Sequence, residues 1–399
     1  MVAMLDKTQP AQFVDLLLKV LGDARSPVVL HEPEFGDNEQ RYVADCIASG
    51  WVSSAGKYVD EFESRIAAFT GARHAVVVSS GTAALHAALL VAGVKAGDEV
   101  LVPALTFVAS ANAAAHCCAI PHFIDSEENT LGVCPDALEA HLHGTVEMSG
   151  GSSRNRKTGR RISAIVPMHT FGHPLRMEKL LEVAGRYNIA VVEDAAESLG
   201  SYIGGRHTGT FGMMGTLSFN GNKIVTTGGG GAVLTNDEEL AGYLRRLTTT
   251  SKRPHRWEFL HDEVAYNYRM PNLNAALGCA QFDKLARMLE QKRALADRYL
   301  QTFGQFSAGH CVPEPAGTRS NYWLSVFKLA SPDRALRDSM LEAAFNAGFH
   351  CRPAWELMHR LPMFVESPRA PLPIAERLTD SIINVPSSPK LAGNLATHV

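Results

Sequence analysis

The residues best suited to chemistry form the run Ser218-Phe219-Asn220-Gly221-Asn222-Lys223, followed closely by Gly228-Gly229-Gly230-Gly231. A lysine between a strand and a glycine-rich turn, with few other charges nearby, is open to desolvation. Desolvation disfavours the ammonium and frees the amine for Schiff-base chemistry with a carbonyl. Ser218, five residues earlier, is placed to reach a phosphate. A single lysine is more often a solvated surface charge, so this reading needs support from elsewhere in the chain.

Two further patterns supply it. Ser79-Ser80-Gly81-Thr82 follows an apolar run and opens a helical one. The first N–H groups of a helix are unpaired and its dipole favours an anion there. Gly81 permits close backbone approach and Thr82 adds a hydroxyl, although the same pattern also serves as a plain N-cap. In Val191-Val192-Glu193-Asp194-Ala195-Ala196-Glu197 an acidic residue ends a buried run, where ligands of open α/β sheets gather. A carboxylate there would keep the ring nitrogen of pyridoxal 5′-phosphate (PLP) protonated and make the ring an electron sink. Asp194 alone would pass equally as a helix cap. The order of the three signals, each at a strand end, points to a PLP site.

Other chemistries are excluded. The chain lacks G-x-G-x-x-G, a Walker A sequence, H-E-x-x-H and Cys/His zinc spacing, so no metal is expected. A formal charge of −3 in 399 residues argues against nucleic acid as partner. Seven cysteines without C-x-x-C read as reduced thiols of a cytoplasmic protein. No apolar run approaches the roughly 18 residues of a membrane span, and residues 1–25 do not read as a signal peptide.

Short apolar runs at 74–78, 99–102, 119–124, 162–167, 190–193, 216–219 and 232–235 alternate with helical stretches such as 81–92 and 176–187. That alternation predicts an α/β domain with a mainly parallel seven-stranded sheet. Residues 1–30 read as an N-terminal arm with a helix over 9–22, and 31–270 as the large domain. Residues 271–399 read as a long connecting helix and a smaller α+β domain. Asp37 is expected to cap one helix ending near Gly50, and Ser331-Pro332 to open another that Gly348 closes. The stretch 149–161, with five positive charges, reads as a solvated loop or a phosphate-attracting rim.

At these residues the sequence resembles the DegT/StrS family of sugar-nucleotide aminotransferases, a branch of the fold-type I PLP enzymes. The resemblance runs from about Val28 to Ser388. It covers Gly50-Trp51-Val52-Ser53-Ser54, Ser80 to Leu85, Gly97 to Val100, Pro103 to Phe107, Glu193 to Ala196, Ser218-Phe219 with Lys223, and Tyr266 to Met270. It implies that Lys223 is the Schiff-base lysine and Asp194 the partner of the pyridine nitrogen. It also implies that Phe107 stacks on the cofactor and that Gly81, Thr82 and Ser218 contact its phosphate. Asn267 reaches the phosphate in a neighbouring subunit's site, which implies a homodimer with shared active sites.

Two departures stand out. Glu197 occupies a position near the cofactor hydroxyl where Gln or His is usual, and the glycine-rich turn lacks its usual glutamate. Both look similar to the subgroup acting on the way to legionaminic acid or bacillosamine, as do Arg160-Arg161, His169 to Pro174, Trp257-Glu258 and Arg352 to Trp355. The implied reaction moves the amino group of L-glutamate to C4 of a 4-keto-6-deoxy hexose, UDP-linked and 2-acetamido. GDP- or dTDP-linked sugars, C3 amination and a non-catalytic PLP-binding regulator are the alternatives. Arg319, Tyr322, Arg352, Trp355 and His359 are candidate substrate contacts. A sugar dehydratase of this fold would carry histidine in place of Lys223.

Overall fold

The computed structural model describes residues 8–22 and 27–393. Residues 1–7, part of the expected arm and of the reading against a signal peptide, lie outside the described residues. No described helix is long and apolar enough to cross a membrane.

The seven apolar runs all become strands of one sheet. They are β1 (His74–Val78), β2 (Glu99–Pro103), β3 (Ile120–Ile124), β4 (Ile162–Ile165), β5 (Ala190–Asp194), β6 (Met214–Ser218) and β7 (Gly231–Thr235), in the order β1-β7-β6-β5-β4-β2-β3. Only β7 runs antiparallel to its neighbours; the other pairings are parallel. β2 and β7 are buried along their whole length, which is why these strands read as continuous apolar runs. The helix after β1, Gly81–Val91, is buried on nearly every face because it packs between sheet and neighbouring helices.

A second sheet gathers β8 (Gly309–Cys311), β9 (Ser325–Leu329), β10 (Arg352–Pro353) and β11 (Ile382–Val385) in the order β8-β9-β11-β10. The N-terminal helix, Thr8–Leu21, belongs to the core behind this sheet. The ring of Phe13 meets Phe303 at 5.7 Å and Phe327 at 5.2 Å.

Three local expectations are corrected. Gly36, not Asp37, caps the helix Asp37–Ser49, and the Glu39 carboxylate accepts the Gly36 N–H at 2.8 Å. Asp333, not Ser331, caps Arg334–Asn346, accepting the Leu336 N–H at 3.0 Å. The long helix expected after 271 is Leu285–Phe303, with a separate helix, Asn272–Phe282, before it. The stretch 149–161 is solvated, with Arg154, Arg156, Lys157 and Arg160 exposed, and it forms no rim of the site. A hairpin of Val146–Ser149 and Ser152–Asn155 leads into it. Thr158 and Asn155 then bond the buried Glu99 carboxylate at 2.6 and 2.9 Å, and Arg161 pairs with Asp98 at 2.5 Å. Those acids stand at the start of β2, the end of the sheet away from the site described next.

Candidate active site

The C-terminal ends of the parallel strands converge on a cavity of about 310 Å³. β1 runs out at Val78, and Ser80 caps the following helix by accepting the Ala83 N–H at 3.1 Å. That leaves the first-turn donors beside Gly81 and Thr82, both of which line the cavity. Gly81 is required by close approach: a Cβ there would lie 2.9 Å from the Cβ of Ser218. Ser218 ends β6, and the turn after it carries Lys223 back over the strand ends, with the Lys223 N–H donating to the Asn220 carbonyl at 3.0 Å.

Asp194 ends β5 and is 2% exposed. Its carboxylate accepts from the Ser110 hydroxyl at 2.7 Å and the Ala196 N–H at 3.1 Å. Burial pushes its pKa up; Ser110, Ala196 and the Lys223 charge oppose that. Glu193, one residue earlier, points the other way. It accepts from the N–H groups of Phe211, Gly212 and Gly209 at 2.6, 2.7 and 2.8 Å and from His169 Nε2 at 3.0 Å. These bonds fix two neighbouring loops, and so the end of β5 from which Asp194 projects.

Lys223 Nζ lies 3.2 Å from a Glu197 oxygen, whose partner oxygen accepts the Phe171 N–H at 2.9 Å. Burial raises the Glu197 pKa to about 7, against the pull of Lys223. The folded chain therefore holds an extra proton across the interval from the ordinary carboxylate range up to that value. This stabilisation is complete below the ordinary range and is lost as pH rises through about 7. Glu197→Gln is expected to flatten that slope, shrinking the stability difference of the cofactor-free chain between slightly acid and slightly alkaline pH by about 2 kcal/mol in denaturant titrations. An unchanged slope would place the proton elsewhere.

Phe107 and Trp355 also line the cavity, with Trp355 stacked on Phe171 at 4.8 Å. The other candidate substrate contacts do not line it. Arg319 pairs with Tyr202 in a separate small sheet. Tyr322 is buried, its hydroxyl taken by the Glu314 N–H at 2.9 Å. Arg352 is exposed on β10 opposite Asn384, and the His359 Nε2 lies 3.9 Å from Glu376. Asn267 is exposed and does not line its own chain's cavity. Trp323, which faces Lys223, and Ser110 beneath Asp194 carry no motif that marks them in the sequence. A larger cleft of about 790 Å³ lies elsewhere, and its charges are taken up in pairs, Arg176 with Glu127 and Lys328 with Glu128.

The residues fit PLP. Asp194 is a buried carboxylate bonded to neutral donors, and a protonated ring nitrogen would offset its desolvation. A helix N-terminus, Thr82 and Ser218 stand at another wall for a phosphate. Fold and site together define a PLP-dependent transferase of fold type I.

The chain belongs to the DegT/DnrJ/EryC1/StrS aminotransferase family, whose description matches residues 33–399. It is similar to the GDP-perosamine synthase of Vibrio cholerae, 34% identical over 93% of this chain and 97% of that protein. It is 35% identical to the putative pyridoxal phosphate-dependent aminotransferase EpsN of Bacillus subtilis, over 84% of each. The crystal structure of the aminotransferase TlmJ from Streptoalloteichus hindustanus superposes with a TM-score of 0.81 at 28% identity, covering 90% of this chain and 93% of that one. The protein is thus an enzyme, a PLP-dependent sugar aminotransferase.

Proposed function

We propose that this enzyme transfers the amino group of L-glutamate to the C4 keto carbon of a nucleotide-linked 4-keto-6-deoxy hexose, giving a 4-amino sugar nucleotide for a surface glycan. The observation that carries the reading is the meeting of Lys223, Asp194, Gly81, Thr82 and Ser218 in one cavity. PLP supplies the electron sink for the charge left when a C–H beside the transferred nitrogen loses its proton. Lys223 attaches the cofactor and, once free, takes the proton from Cα of glutamate at its Nζ and delivers one to sugar C4. Asp194 holds the ring nitrogen protonated. Gly81, Thr82 and Ser218 anchor the phosphate, Phe107 covers the ring, and Trp355 offers a face to the sugar. Glu197, about half ionised near neutral pH, keeps Lys223 Nζ in place.

The reading includes a homodimer in which Asn267 completes the partner's site. Supporting it, Asn267 is exposed, and large apolar side chains at Trp257, Phe259 and Val264 lie uncovered just before it. Trp51 and Val52 are uncovered too, and their carbonyls bond Asn272 and Leu273 just after it. Free cysteines throughout the described chain support a cytoplasmic location.

Two sugar classes are favoured by different observations. Likeness to a GDP-perosamine synthase favours a GDP-linked sugar. Glu197 and the run Gly228 to Gly231 favour the UDP-linked 2-acetamido sugar of the legionaminic acid or bacillosamine routes. Incubation with L-glutamate and UDP-, GDP- or dTDP-linked 3- and 4-keto sugars, read by product mass, is expected to give amination of one 4-keto substrate. Amination confined to C3, or to dTDP sugars, would overturn both.

A further inference from the structure

Besides Glu197, Lys223 meets the indole of Trp323, with Nζ 3.8 Å from the ring centroid. The indole is held on several sides. Its Nε1–H donates to the carbonyl of Asn222, the residue before Lys223, at 2.9 Å. Its backbone N–H donates to Asn321 Oδ1 at 2.8 Å, and its carbonyl accepts from Lys292 Nζ at 3.0 Å. Lys292 is 1% exposed, and its other acceptor is the Ser387 carbonyl at 2.6 Å. Burial drives the Lys292 pKa well down. Among the described residues two carbonyls and no carboxylate satisfy it, an expensive arrangement for a core that a methionine would fill.

The titratable groups around this point are Glu197, Asp194, His169, His31 and the two lysines. With Glu197 pushed up to about 7, its carboxylate is only a partial counter-charge near neutral pH. An aromatic face attracts an ammonium without titrating.

We infer that Trp323 is a positioning residue for Lys223: its ring face holds the free ammonium whenever the lysine is not bonded to the cofactor, and Lys292 sets the place of that ring through the Trp323 carbonyl. The inference rests on Lys223 being the cofactor's lysine. It explains how a released side chain with four rotatable bonds stays beside the atoms it must serve. It also assigns a task to a buried lysine held by two carbonyls.

The test reads the amine itself. The full-length chain, stripped of PLP, is acetylated with trace acetic anhydride, and modification of Lys223 is followed by peptide mass at neutral and strongly alkaline pH. Trp323→Leu is expected to raise the neutral rate about three-fold or more, since the ammonium loses its aromatic partner, and to leave the alkaline rate unchanged. Lys292→Met should move the neutral rate in the same direction without touching Lys223. Trp323→Phe, which keeps a ring, should fall between the Leu variant and the native chain. Equal increases at both pH values would mean that the ring merely shields Lys223, and an unchanged neutral rate would mean that it does nothing; either overturns the inference. If the Leu variant melts early, the Phe and Met variants decide. Labelling needs neither cofactor nor substrate, so its outcome is separable from the role of Lys223, which is read from Lys223→Ala.

Discussion

Lys223→Ala is expected to lose the visible absorbance of the PLP-loaded protein and to lower turnover by at least about 10⁴-fold. One amine serves twice, first as the point of attachment and then as the group that moves the proton, so its loss removes both. Its neighbours offer no substitute. Glu197 is 3.2 Å from Nζ and buried, but a carboxyl group forms no Schiff base and so cannot replace the amine at the point of attachment. The fold should survive, because the lysine side chain is 14% exposed and its contacts are Glu197 and Trp323. Unchanged melting together with lost absorbance is therefore the expected pair of results. Normal turnover in this variant would sink the assignment.

Asp194→Asn should separate charge from shape. The amide keeps an oxygen for the Ala196 N–H, and Ser110 is able to turn and accept from the new NH₂. What disappears is the negative charge that holds the ring nitrogen protonated. Turnover is expected to fall by about 10²–10⁴-fold while the chain still binds PLP. Stability should move the other way. Burial raises the Asp194 pKa, so the folded chain favours the protonated acid, and that contribution is lost as pH rises through the raised value. Without cofactor, the Asn variant should be at least as stable as the native chain above neutral pH, and denaturant titration would detect it. A variant that is both inactive and much less stable would mean that Asp194 is structural.

The seven strands were legible because each is buried on both faces and so reads as an apolar run between turns. Lys223, Asp194, Gly81, Thr82 and Ser218 were legible for a related reason. Each stands where such a run stops, and strand ends are where parallel sheets collect ligands. The substrate side was not. Tyr322 and Trp323 are adjacent aromatics, and no periodicity distinguishes them. The chain takes a left-handed turn at Tyr322, with φ of 47°, costly for a residue with a Cβ. Tyr322 is thereby packed against His173, ring to ring at 5.3 Å, while Trp323 faces Lys223. Arg319, Arg352 and His359 do not line the cavity, and a basic residue in a mixed domain carries no sign of the direction it faces. The role of the N-terminal helix was hidden because Phe13 packs on residues some 290 positions away.

The most direct measurement follows the visible absorbance of the PLP-loaded protein through two additions. L-Glutamate alone should bleach it, with 2-oxoglutarate formed once per site. A GDP- or UDP-linked 4-keto-6-deoxy hexose added next should restore it, with one amino sugar nucleotide formed per site. Absorbance that glutamate leaves untouched, or a bleached protein that no keto sugar nucleotide restores, would contradict the account.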